Sequence, residues 1–343
     1  MLKPRSDRVF LFLIPNAIPM DANEIFKVSS SAEFLDLAIE IFRFQYGNVQ
    51  VYRQFCDFLQ CNPDSVKTLS EIPFLPIQFF KTHPIIVDGM EPEVVFTSSG
   101  TTGSVSSKHL VADKRIYEGS FMNGFRRKYG SPDNYAVLGL LPSYLEREGS
   151  SLIYMVESLI QKSKNPHSGF YLYEMEAMIE KLEFLELNGQ KSILIGVSYA
   201  LLDLIEKGNI KLKNTIVMET GGMKGQRKEM IREELHEILQ NGLGVKKIHS
   251  EYGMTELLSQ AYSKADGVFT SPPWMKILTR DPEDPRKYLY GRAGGINVID
   301  LANIYSCSFI ATQDLGKIHE TGDFEVLGRF DASDIRGCNL MVL

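Results

Sequence analysis

No stretch of the 343-residue sequence approaches the ~18 apolar residues that a bilayer-spanning helix needs. The apolar segment 9–14 follows Lys3, Arg5 and Arg8 as the core of a signal peptide would. Pro15 and Asn16 cut it short, however, and no small-residue cleavage site comes after them. Cysteine is scarce, and Cys56, Cys61, Cys307 and Cys338 show neither a CxxC pair nor a disulfide framework. That usage predicts a reducing, cytoplasmic setting. Positive charge is not in excess either: 37 Lys+Arg against 43 Asp+Glu give a formal charge of −6. Nucleic acid and anionic membranes therefore find no electrostatic attraction. The sequence lacks G-x-x-x-x-G-K-[ST], lacks G-x-G-x-x-G after a strand, and lacks H-E-x-x-H. Its six histidines are scattered, which leaves no zinc-ligand spacing. Gly242-Leu243-Gly244 reads as a helix end rather than a phosphate loop.

What is present is ordinary for a globular chain, with 44% apolar and 23% charged residues. At ~150 residues per domain the length implies about two domains. A chain of this size buries roughly three quarters of its unfolded surface, so a core can form without metal or disulfide.

Ser30 and Glu33 form a capping-box pattern ahead of Phe34, Leu37, Ala38, Ile41 and Phe42, which share one helical face. A second helix should carry Val51, Tyr52, Phe55, Phe58 and Leu59, and the prolines in 72–76 predict an ordered loop. From Val94 onward, buried-strand runs (94–96, 135–141, 191–197, 215–218, 245–248) alternate with amphipathic segments (114–129, 151–162, 174–187, 199–206, 226–239). This alternation predicts an α/β fold with mainly parallel strands. Beyond Asp266 the helical period stops, and runs at 274–278, 296–299, 307–311 and 324–327 suggest an antiparallel or barrel-like region.

One motif dominates: Thr97-Ser98-Ser99-Gly100-Thr101-Thr102-Gly103-Ser104, followed by Lys108. Glycines let successive N–H groups converge on one anion, hydroxyls add donors, and Lys108 adds a point charge. A plain polar surface loop is the alternative.

This loop resembles the [ST]-[ST]-G-[ST]-T-G phosphate loop of the adenylate-forming superfamily, which includes the acyl-CoA synthetases. Tyr252-Gly253-Met254-Thr255-Glu256 is similar to that family's Y-G-x-T-E, and Thr321-Gly322-Asp323 to its T-G-D. Gly328-Arg329-Phe330-Asp331 resembles its hinge segment, and the motifs come in the family's order. The resemblance implies the layered α/β architecture of the large domain, with ATP and Mg²⁺ as cofactors. It implies that 97–103 and Lys108 meet the phosphates, and that Tyr252 stacks on adenine with Gly221-Gly222 over the other face. Thr255 would donate to the α-phosphate, Glu256 would ligate Mg²⁺, Asp323 would accept the ribose hydroxyls, and Arg329 would donate to ribose or phosphate. The usual lid domain with its lysine would be missing after Leu343.

A finer resemblance is to the LuxE-like acyl-protein synthetases. It rests on 72–76 with Phe80-Lys81-Thr82-His83, on 141–147 with Ser150-Ser151-Leu152, on 219–225, and on Arg336-Gly337-Cys338-Asn339-Leu340. In that branch a cysteine near the C-terminus takes the acyl group as a thioester, and Cys338 is the matching position. Arg336 would lower the thiol pKa if the two side chains meet.

The expected reaction is ATP-dependent activation of a carboxylic, fatty-type acid followed by acyl transfer to a thiol. The partners implied are that acid and an acyl-accepting reductase, carrier protein or coenzyme A. The expected organisation is a helical and extended segment (1–93), an α/β nucleotide- and acyl-binding body (94–265), a β-rich subdomain (266–329), and a hinge remnant with a cysteine-bearing tail (330–343). An acyl-CoA ligase-like enzyme or a catalytically degenerate nucleotide- or acyl-binding protein is one alternative. A serine hydrolase or acyltransferase is another, because Gly196-Val197-Ser198-Tyr199-Ala200 approximates a nucleophile elbow, although Ser198 as a helix N-cap explains the same residues. His83, His249 and His319 have no assigned role.

Overall fold

A computed structural model of the chain describes residues 22–99, 105–142, 147–223, 227–228 and 230–329. These divide into two compact units. The first takes in the described residues from 22 to 117, together with 273–317 and 327–329, and the second takes in those of 118–272 and 318–326.

In the first unit the Ser31–Asn48 helix begins at the expected capping box: the Ser30 side chain accepts from Glu33 N, and the Glu33 carboxylate accepts from the Ser30 amide. Its buried face carries Phe34, Ala38, Ile41, Phe42 and Phe44. Phe42 meets Tyr52, from the Gln50–Phe58 helix, and Phe309 edge-on, with ring centroids 6.1 Å away in each case. The Gln45 amide donates to Asn303 O and Ile304 O, both at 2.9 Å, and accepts from Ser308 N at 3.0 Å. A polar side chain can be buried there because its hydrogen bonds are made.

The expected antiparallel region is present. Tyr288–Leu289, Met275–Arg280, Gly294–Asp300 and Phe309–Ile318 pair in that order. Within the stretch 72–76, expected as a loop, Leu75–Pro76 adds a short parallel strand against Ile310 and Ala311. Its proline is tolerated because the strand lies at an edge.

Val94–Thr97 departs from expectation. It is half of a two-stranded antiparallel ribbon with Lys108–Val111, not a buried strand of a parallel sheet. Phe96 is fully buried but Val95 is 37% exposed. Three consecutive apolar residues read alike in either setting, and the sequence gives no sign of the partner strand.

The second unit holds the parallel layer, in the order Gly169–Phe170, Ala136–Leu140, Ser192–Gly196, Thr215–Glu219, His249–Tyr252. Antiparallel strands Ala261–Ser263, Val268–Thr270 and Phe324 onward continue it. Every residue of Ala136–Leu140 and Ser192–Gly196 is buried, as parallel strands covered on both faces require. The covering includes Met178, Leu182 and Leu185 of the Met175–Leu187 helix, Leu201 and Leu204 of Ser198–Lys207, and Leu235 and Leu239 of Arg232–Leu243.

Two boundaries shift. The last of these helices spans Arg232–Leu243 rather than 226–239, closed by Gly244 at φ +71°. The strand expected at 245–248 is therefore displaced to His249–Tyr252. Ser198 is the first helical residue and Val197 the N-cap, so Ser198 is not the cap the sequence suggested.

Candidate active site

In the first unit, the phosphate-loop motif grows from the tip of the ribbon. Thr97 ends one strand and Lys108 begins the other, and the two residues are paired in register. Ser98 N donates to Ser107 O at 3.1 Å, and Ser98 Oγ accepts from Ser107 N at 2.9 Å. These bonds clamp the base of the loop. Lys108 is exposed and follows directly after that clamp. Gly100, Thr101, Thr102 and Gly103 lie outside the described residues, as does Cys338. Arg329, also in this unit, donates from Nε to the buried Asp314 carboxylate at 3.0 Å.

The second unit brings together more of the candidate residues, at the carboxyl ends of neighbouring parallel strands, where α/β sheets commonly bind ligands. Strand Thr215–Glu219 leads into Gly221 and Gly222, with φ of +75° and +96°. Those angles are costly for residues with a Cβ. Among the described residues, a Cβ on Gly221 would meet nothing within 4 Å, so they leave this side of the turn open.

The neighbouring strand ends at Tyr252, whose buried ring packs against Phe269 (5.9 Å) and Phe324 (5.4 Å) at interplanar angles of 60° and 77°. Neither ring is stacked face to face on Tyr252. Thr255 is half-buried, and Glu256 is only 5% exposed. Asp323 follows Gly322 (φ +88°) in a tight turn, accepting from Thr321 Oγ1 at 2.9 Å while its own carbonyl accepts from His319 N at 2.8 Å.

For Mg²⁺ the donor chemistry fits. Glu256 is a hard oxygen donor next in sequence to Thr255, and Mg²⁺ taken up with substrate phosphates needs only one or two carboxylates. Among the described residues there is no group of three or more His, Cys, Asp or Glu placed to hold a metal by themselves.

Four ionisable residues to which the motifs gave no role, Glu219, Arg232, His236 and Glu251, stand close to this surface. Glu219 Oε2 accepts from Gly221 N at 2.7 Å, and its Oε1 lies 3.6 Å from His236 Nε2 and 3.9 Å from Arg232 Nε. Burial pushes this carboxyl up, but hydrogen bonds from His236 and Ser250, the Arg232 charge and the Gly221 amide together hold it below its ordinary value. Glu251 goes the other way. Burial and the nearby Glu219 charge raise it to about 8, so Glu219 carries the charge and Glu251 the proton. A carboxylate closing an otherwise apolar strand was the signal available in sequence, and Glu219 showed it.

His249 and His319 are engaged with other partners. His249 Nδ1 is 3.1 Å from Tyr129 Oη, and burial with Lys264, Lys128 and Lys247 nearby lowers it to about 4. His319 Nε2 lies 2.7 Å from Glu325. Ser198 is 1% exposed at the start of its helix, its amide bonded to Gly221 O. These placements do not favour the hydrolase alternative.

No family model matches the chain. Among curated proteins, the long-chain-fatty-acid–luciferin-component ligase of Vibrio harveyi is 23% identical over 328 residues, covering 87% of this chain and 84% of the relative. The protein of that name from Aliivibrio fischeri is 25% identical over 340 residues, covering 89% and 86%. Among solved structures, an open conformation of 2-hydroxyisobutyryl-CoA ligase with 2-HIB-AMP and CoA matches with TM-score 0.66 at 14% identity, over 89% of this chain and 77% of that one. The chain has the adenylate-forming ligase fold. ATP-bound MatB from Rhodopseudomonas palustris shares that fold more loosely, with TM-score 0.51 at 18% identity over 68% of this chain, which spans about half (47%) of its length. The expected adenylate-forming fold is borne out, and so is the expected likeness to the LuxE-type ligases. Among the described residues, no helix is long and apolar enough to cross a membrane.

Proposed function

We propose that this adenylate-forming chain activates a carboxylic acid of the fatty-acid class with ATP and then passes the acyl group to a thiol. The carboxylate oxygen attacks the α-phosphorus, the bond to pyrophosphate breaks, and acyl-adenylate forms. A thiolate then attacks the acyl carbon and AMP leaves. The observation that carries this reading is the likeness to two fatty-acid ligases over more than four fifths of their length, together with the Gly221-Gly222 turn and Tyr252–Glu256 set side by side at strand ends.

In this reading 97–103 and Lys108 meet the polyphosphate, whose negative charge grows in the transition state. Gly221 and Gly222 leave room for the purine, Tyr252 flanks it, Thr255 donates to the α-phosphate, and Asp323 accepts from the ribose. Arg329 donates to ribose or phosphate. Mg²⁺ would neutralise phosphate charge, with Glu256 as its protein ligand. Cys338 is the proposed acyl acceptor within the chain. The onward partner belongs to the class of reductases, carrier proteins or coenzyme A, and the setting is cytoplasmic.

The test is ATP–pyrophosphate exchange with a panel of carboxylic acids. Exchange that requires Mg²⁺ and a long-chain acid is the expected result. Absence of exchange with every acid, joined to absence of ATP binding by calorimetry, overturns the proposal.

A further inference from the structure

We propose that Arg232, braced by Glu219, is a positioning residue for the adenosine half of the ATP site, tying the Gly221-Gly222 turn, the Tyr252 ring and the Asp323 turn into one frame. The inference rests on the adenylation reading above. It concerns only side chains of the second unit.

Arg232 opens its helix, and its side chain is 26% exposed. Three contacts leave it in three directions. Its Nε lies 3.9 Å from Glu219 Oε1, and the other oxygen of that carboxylate accepts the Gly221 amide at 2.7 Å. Its Nη1 donates to Val326 O at 2.7 Å, on the strand that leaves the Asp323 turn. Its guanidinium carbon sits 5.3 Å from the centroid of the Phe269 ring. Phe269 stacks on Phe324 at 5.5 Å, and both rings bear on Tyr252.

Directly, or through the two phenylalanine rings, these contacts reach the Gly221-Gly222 turn, the Asp323 turn and Tyr252, each proposed to touch adenosine. The path over the sheet is cleared by Gly267, where a Cβ would stand 2.7 Å from Arg232 Cδ. One helical turn on, His236 reaches the same Glu219 oxygen at 3.6 Å, so the carboxylate is fixed from two points of one helix. A flat guanidinium with donors in a rigid fork can serve carboxylate, carbonyl and ring at once. An ammonium group can hold one of these directions well but not all three.

A pair kept only for stability would have no reason to converge on these segments and no selectivity for the nucleotide. The experiment uses the full chain as wild type, Arg232→Gln, Arg232→Lys and Phe269→Leu, assayed by ATP–pyrophosphate exchange. Arg232→Gln should raise the KM for ATP by about tenfold, with the KM for the acid moving less than about twofold. Inhibition by adenosine should weaken in parallel, and inhibition by pyrophosphate should hold. Arg232→Lys should recover part of the loss, and Phe269→Leu should shift the ATP KM in the same direction as Arg232→Gln.

Should Arg232→Gln fail to fold, Arg232→Lys and Phe269→Leu carry the same readouts. An active wild type whose folded variants keep the ATP KM, or lose kcat alone, overturns the positioning role and leaves the adenylation reading standing. A wild type that neither binds ATP nor exchanges pyrophosphate removes both.

Discussion

The Glu251 carboxylate occupies the space that a Cβ on Gly253 would need. The two stand two residues apart where the His249–Tyr252 strand ends. The glycine admits the carboxyl, and a side chain at 253 would force that carboxyl to move.

Gly253→Ala should therefore destabilise the fold by roughly 1–3 kcal/mol, the usual range for overpacking a filled site. The cost should shrink in a Glu251→Ala background, because the two changes share one space. Urea unfolding of the four members of the cycle checks this. Additive effects would show that the two residues do not compete.

Glu251 also makes stability depend on pH in a defined direction. Its folded-state pKa of about 8 lies above the ordinary 4.5. Between those values the folded state holds a proton that the unfolded state has released. The stabilisation is complete below about 4.5 and is lost as pH rises through 8, by at most about 1.4 kcal/mol per pH unit. His249 works in the opposite sense, since its lowered value favours the folded state as pH rises from about 4 to 6.5. The window from 6.5 to 8 therefore isolates Glu251. Across it, Glu251→Gln should gain stability relative to wild type, measured by denaturant midpoint. Parallel profiles would place the proton elsewhere.

Glu256→Gln should keep the fold and slow acyl-adenylate formation by on the order of 10² or more, the scale found when a charge-stabilising group is removed. The isosteric change leaves shape intact, so excess Mg²⁺ should recover part of the rate. A rate equal to wild type in single-turnover adenylation would assign Glu256 to packing.

Cys338→Ser should still form acyl-adenylate but should not hold a hydroxylamine-labile acyl label. Intact mass after incubation with ATP, Mg²⁺ and a cognate acid reads the difference directly. Replacing Cys56, Cys61 or Cys307 should leave labelling unchanged. Cys56 and Cys307 are buried, and burial pushes both thiols well up, to about 12 for Cys307, so little thiolate forms there. Equal labelling of wild type and Cys338→Ser would move the acceptor outside the chain.

Much of this was legible in the sequence because local chemistry and tertiary outcome agree. The Ser30–Glu33 capping box, the fully buried strands at 136–140 and 192–196, and the Gly244 helix end each depend on a few adjacent residues. The ribbon partner Lys108–Val111 was not legible, since a strand that starts with a lysine and a histidine looks like a continuing loop until its pairing is known. The displaced strand at 249–252 was hidden for a related reason. His249, Ser250 and Glu251 are polar, and the first two are bonded there by Tyr129, His236 and the Glu219 carboxylate, groups remote in sequence. Arg232 escaped notice because its partners come from three separate segments, and no spacing rule links a helix-opening arginine to a carbonyl 94 positions away.

The Gln45 side chain sets an order in time. Its amide bonds Asn303, 258 positions downstream, and between these points the chain builds the whole parallel layer of the second unit. During synthesis the Ser31–Asn48 helix emerges early, with its buried amide and aromatic face still lacking Asn303, Ser308 and Phe309. The strands of 136–219 can pair as they leave the ribosome, whereas the first unit must wait until almost the entire chain has been made. Slow closure of distant contacts is the general cost of such a topology. For this chain it makes the apolar face of the Ser31–Asn48 helix, buried once folding is complete, the surface most in need of protection while translation is still under way.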